Sequence, residues 1–199
     1  MKKSILQTTA MAACAMFLFT ACNEDSVGPQ DMTAQNVQEA HRTNSLNLKK
    51  TYTADIMSLN NSGVTGTTTL TLDGNMLTVH IMATGLEPGM VHPQHIHGFT
   101  ENNNNAICPP MSADTDGDGL VELVEGIPFY GAVLLPLDPF PTAPDGSIDY
   151  TRTFDISDKV ALLPLQNNVI VLHGMTVDGE YIATLPVACA EIKTMNNGK

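Results

Sequence analysis

From Leu48 to Glu191 the chain is built of short apolar and β-branched runs, many alternating with polar residues and separated by glycine and proline. A period of two puts every second side chain on one face of a strand, so the stretch reads as β throughout. Thr51–Ile56 and Gly66–Leu72 are rich in threonine and β-branched residues, which suit a pleated, half-buried surface. Asp73-Gly74 reads as a two-residue turn into an alternating strand at Leu77–Ile81. There Leu77, Val79 and Ile81 form the core face, which turns His80 outward with Thr78 and Met82. Further strands are expected at Ala132–Leu135, Tyr150–Ile156, Val169–His173 and Tyr181–Leu185. No segment carries the apolar stripe and end caps of an amphipathic helix. The pattern spans about 150 residues, enough for one domain with its own core, and predicts an all-β sandwich or barrel.

The N-terminal end follows another pattern. Lys2 and Lys3 precede an apolar stretch through Phe17-Leu18-Phe19 that ends Thr20-Ala21-Cys22. Small residues before this cysteine read as a bacterial lipoprotein cleavage site, with 1–21 the signal peptide and Cys22 the lipidated N-terminus. An ordinary secretory signal with a chance cysteine is the alternative. The run is too short and interrupted to span a bilayer as a mature helix. Residues 22–46 are polar and read as a flexible tether, in which His41 is simply solvated. The domain is expected over 47–193, with 194–199 as a tail. This places the protein in the cell envelope, joined to the membrane by its lipid anchor alone. The outer membrane is expected, since Glu24 and Asp25 resemble acidic surface-export tags.

Charge narrows the partners. The formal net charge is −12, and removing Lys2 and Lys3 with the signal peptide brings it to about −14. That excludes nucleic acid, whose phosphates demand a basic surface, and docking on anionic lipid. It favours metal cations as partners. With Cys14 removed and Cys22 acylated, Cys108 and Cys189 remain as an even pair in an oxidising compartment. A disulfide between them is expected, with two buried thiols as the alternative.

Two clusters carry chemistry. Asp114, Asp116, Asp118, Gly119, Leu120, Glu122 and Glu125 fit the twelve-residue calcium loop at every ligand position. Three aspartates supply carboxylates, Gly119 allows the sharp turn, Leu120 offers its carbonyl, and Glu125 can bind through both oxygens. Pro109-Pro110 before the loop and Pro128 after it argue against an EF-hand helix pair. The loop is therefore read as a free-standing calcium site in an excursion at 108–128. The second cluster is His92-Pro93-Gln94-His95-Ile96-His97. His95 and His97 are two apart and so share a strand face, where two imidazoles suit copper or zinc. His173, ending the run Val169–Leu172, is the third ligand expected. Met90 and Met175 lie near these motifs and are read as core filling.

These residues resemble the copper/zinc superoxide dismutase family, a Greek-key β-barrel. Gly85–Gly89 with His92-x-x-His95-x-His97 is similar to the family's entry to copper, and Val171–Gly174 to its last copper-ligand strand. Pro186–Ile192 resembles the C-terminal strand. The resemblance covers roughly 64–110 and 168–192. It implies copper at His95, His97 and His173, a structural or supporting role for His92, and a Cys108–Cys189 disulfide. The family's bridging histidine and zinc ligands have no counterpart, since no histidine lies between His97 and His173. Pro186 stands where the family has its anion-guiding arginine. The function expected is copper binding through three histidines and calcium binding through the acidic loop. A divergent copper-only dismutase and a metal-free adhesion or scaffold module are the alternatives.

Overall fold

The computed structural model describes residues 49–101 and 104–195. The signal peptide, Cys22, the tether and most of the tail lie outside them. Nine strands form one antiparallel sheet: β1 Lys50–Ser58, β2 Thr65–Asp73, β3 Met76–Thr84, β4 Gln94–Gly98, β5 Ala132–Pro136, β6 Ser147–Asp155, β7 Val169–Val177, β8 Glu180–Glu191 and β9 Lys193–Thr194. Their order is β5-β4-β7-β8-β1-β2-β3-β6, with β9 added against β1. β1–β3 are a meander, β6 returns beside β3, and β7 returns beside β4. This is the Greek-key connectivity of an all-β, dismutase-like fold. β9 takes in Thr194, so the sheet extends one residue into the segment read as tail.

The alternation seen in the sequence is the alternation of burial. Leu77, Val79 and Ile81 are wholly buried, together with Leu70 of β2 and Ile170 and Leu172 of β7. His80 lies on the outer face, its Nε2 2.8 Å from Asp149 Oδ1. β2 and β3 run longer than read: Thr65 opens β2 and Thr84 closes β3. The first hairpin corrects the turn. Asp73 pairs with Met76, so the loop is Gly74-Asn75, and Gly74 takes φ +57°. A first-position glycine with positive φ is what a II′ hairpin uses, and it matches the strand twist.

The second correction is a helix, α1, at Leu123–Tyr130. Its N-cap is Glu122, in a reciprocal capping box with Glu125. Such a box satisfies two orphan backbone donors at a helix start. In the sequence these glutamates were claimed by the calcium pattern, and Pro128 argued against a helix pair around the loop. The entry side of the loop holds only a single 3-10 turn, Met111–Ala113, so the acidic loop has half of an EF-hand's helical frame.

Two apolar clusters result. The main one fills the space enclosed by the curled sheet. A smaller one lies on the outer side of β4, β7 and β8 and joins Val169, Val171, Cys189, Tyr130, Ala106 and Leu59. The 81-residue span between Cys108 and Cys189 is closed there by a disulfide, with Cα atoms 5.7 Å apart. It ties the long loop after β4 to β8 and holds α1 over the outer face of β4.

Candidate metal centre

β4 has both faces covered. Gln94 and Ile96 point to the main core, so His95 and His97 point to the outer face under α1. β7 brings Val169, Val171 and His173 to that same side, beside β4. After Leu172 the β7–β8 register shifts through a bulge, and Gly174 takes φ +108°. A Cβ at Gly174 would collide with the Tyr181 hydroxyl, so only glycine allows the chain to turn there and keep His173 in place.

One ring nitrogen from each of His95, His97 and His173 lies within 4.8 Å of those of the other two. His97 Nδ1 donates to Gly131 O at 3.1 Å, and His173 Nδ1 donates to Thr184 O at 2.9 Å. A carbonyl only accepts, so the proton sits on Nδ1 and each Nε2 keeps its lone pair. His95 Nδ1, His97 Nε2 and His173 Nε2 are buried and have no hydrogen-bond partner. Buried polar atoms almost always find one, so three orphans converging on one point are three donors prepared for a ligand. Burial pushes His97 down to about 4, against the lifting effect of the Gly131 carbonyl. Burial likewise pushes His173 down to about 3 and lowers His95, with Asp138 opposing the latter. All three rings are neutral at ordinary pH, the form that coordinates metal.

Aromatic rings hold the cluster. Tyr130 stands with its centroid 4.7 Å from that of His97, and its hydroxyl donates to Leu123 O at 3.1 Å. Phe140 meets His95 edge-on at 5.3 Å. Above the imidazoles lies a cavity of about 300 Å³, walled by Pro93, Leu123, Val133, Phe140, Ala183 and Thr184. Neither Met90 nor Met175 lines it, and Met175 packs against the main core. Every lining residue falls within 51–151 or 160–192, two stretches that contain no lysine or arginine.

His92 is wholly buried beside the triad. Its Nδ1 lies 3.0 Å from His173 O and its Nε2 3.0 Å from Glu87 O, so the ring bridges two backbone segments. Pro186 is buried opposite His173 on β8. Gly131 and Thr184, which act through backbone carbonyls, and Tyr130 and Phe140, which lie outside any motif, could not be picked out from sequence.

In the acidic loop, Asp114, Asp116 and Asp118 form one close carboxylate group, and Asp116, Glu122 and Glu125 another. Leu120 donates its N–H to Asp118 Oδ1 at 2.8 Å. Glu125 Oε1 accepts from the Thr115 N–H and hydroxyl, both at 2.6 Å, which hold its carboxyl well below the usual range. The hydrogen bond with Glu125 pushes Glu122 up to about 7.

No family model matches the chain, and no curated protein matches it. Among solved structures it is similar to a SOD-like protein from Bacillus subtilis, at 13% identity and a TM-score of 0.43, over 69% of this chain and 95% of that one. A double mutant of that protein matches at 18% identity and a TM-score of 0.40, over 69% and 94%. The dismutase-like fold of this chain is seen in its own strand order, its disulfide and its two histidine strands.

Proposed function

We propose that this protein is a lipid-anchored metal-binding protein of the cell envelope. His95, His97 and His173 hold copper, and the loop Asp114–Glu125 holds calcium. One observation carries the copper reading: three buried, unpartnered imidazole nitrogens converge, and two of the rings are locked by carbonyls in the tautomer that aims Nε2 inward. An all-imidazole donor set fits copper and, less selectively, zinc. Copper would supply Lewis acidity and one-electron redox capacity there. The chain's own residues fix the donor atoms and keep them deprotonated. Calcium is supported by five carboxylates and the Leu120 carbonyl at the ligand positions of the loop, and by the crowding of those carboxylates.

A divergent copper-only dismutase is the second reading. The cavity above the histidines favours it, since it leaves a coordination position open.

The test is metal analysis with competition against a Cu(II) chelator. The protein should take up one copper per chain at this site. His97→Ala should weaken binding by roughly a hundredfold or more, beyond what loss of a supporting hydrogen bond costs. Equal affinity in that variant places the site elsewhere, and no copper uptake favours a metal-free scaffold.

A further inference from the structure

We propose that the cavity over the three histidines binds a small uncharged organic donor, a nitrogen or sulfur ligand on an apolar body, as the fourth partner of the metal. This rests on the three-histidine reading and names the ligand class of that site.

The size of the cavity comes first. About 300 Å³ is at the lower end of small-molecule sites and far exceeds a diatomic or triatomic anion. The walls come second. Pro93, Leu123, Val133, Phe140 and Ala183 present carbon to this space, the buried unpartnered nitrogens in it are those of the metal-facing imidazoles, and Thr184 is the one hydroxyl-bearing residue of the lining. An inorganic anion would find the metal, but no N–H or cationic group to replace its hydration shell, and a buried charge without such partners is costly. A neutral donor keeps the metal bond and also removes apolar surface from water on both sides.

The surrounding charge comes third. No lysine or arginine occurs in either stretch that supplies the lining, and Asp138, two residues from Phe140, acts on His95. Val133 on β5, which lines the cavity, is 46% exposed, so apolar surface continues to the mouth. A ligand arriving here meets acidic and apolar groups, which favour an uncharged molecule.

The experiment uses copper-loaded protein in mildly alkaline buffer, where imidazoles are uncharged. Imidazole and its 1-methyl, 1-ethyl and 1-propyl derivatives are titrated in turn, with azide as the anion. The Cu(II) visible band and paramagnetic resonance spectrum report occupancy of the fourth position. Affinity should rise by about threefold to fourfold per added methylene until the cavity is full, the increment for burying one CH₂. A simple Cu(II) complex of diethylenetriamine should show no such rise. Val133→Ser, at a half-exposed position that touches no metal, should leave the copper spectrum unchanged and flatten the gain from methyl to propyl. A flat alkyl series, or azide binding tighter than 1-propylimidazole relative to the small complex, overturns the proposal while leaving copper binding in place. Failure of the protein to take up copper would instead overturn the reading on which it rests.

Discussion

At the scale of single residues, burial changes what the histidines do with protons. A free histidine titrates near about 6.5, and from that value alone copper binding would weaken as pH falls through about 6. The structure moves this edge, because burial pushes His97 down to about 4 and His173 to about 3. Protons then compete with copper only in more acid solution. Copper affinity should hold below the pH at which free histidine protonates, weaken first as the less buried His95 takes up a proton, and fall away as pH approaches about 4. The sign for folding is the same. Below about 6.5 the unfolded chain takes up protons that the folded rings refuse, so the metal-free protein loses stability from there down to the folded values. Chelator competition and urea melts across this range check both, and a midpoint near the free-histidine value would contradict the burial argument. His95 and His97 were legible in the sequence because strand period forces i and i+2 to one face. The carbonyls of Gly131 and Thr184, which set the tautomers, were not, since any residue type carries a carbonyl.

At the scale of elements, the strands were read with ends short by a few residues, and α1 was missed. Both have one cause. Residues such as Thr65, Thr84, Glu122 and Glu125 satisfy two local patterns at once, and the sequence does not say which wins. Glu122 and Glu125 serve the loop as carboxylates and α1 as its capping box. A cation held by the loop would therefore also steady the start of α1, whose far end carries Tyr130 and leads into Gly131 against His97. Calcium at a hundredfold excess over its Kd should raise the melting temperature by roughly 5–10 °C, since a ligand of the folded state alone stabilises it by mass action. Asp116→Ala and Glu125→Ala should each remove that gain. Superimposable melting curves in calcium and in chelator would refute it.

At the scale of the whole molecule, the even cysteine pair and the resemblance to the dismutase family foretold the disulfide, and the same resemblance foretold the meeting of the two histidine strands, β4 and β7. The order of strands itself became visible only in three dimensions, where non-local pairings such as β3 with β6 are made. Charge acts at this scale too. With a formal charge of −12, Pro186 buried opposite His173 and no lysine or arginine among the residues that line the cavity, no lining side chain focuses an anion toward the metal. Favourable steering raises association rates by about 10- to 1000-fold. Superoxide dismutation by the copper-loaded protein should therefore fall far below the diffusion limit, and it should slow further as salt is removed, because repulsion is then less screened. Pulse radiolysis at two ionic strengths measures both, and a near-diffusional constant that rises at low salt would make the dismutase reading the better one.

The central claim is that His95, His97 and His173 present three neutral nitrogens to one metal ion. Paramagnetic resonance of the protein with one equivalent of Cu(II) tests it most directly, because nitrogen hyperfine splitting counts the imidazoles on the metal. The structure predicts a single species with three equatorial or near-equatorial nitrogens, and a spectrum with one nitrogen fewer in His97→Ala. A spectrum dominated by oxygen ligands, or one unchanged by that substitution, would contradict it.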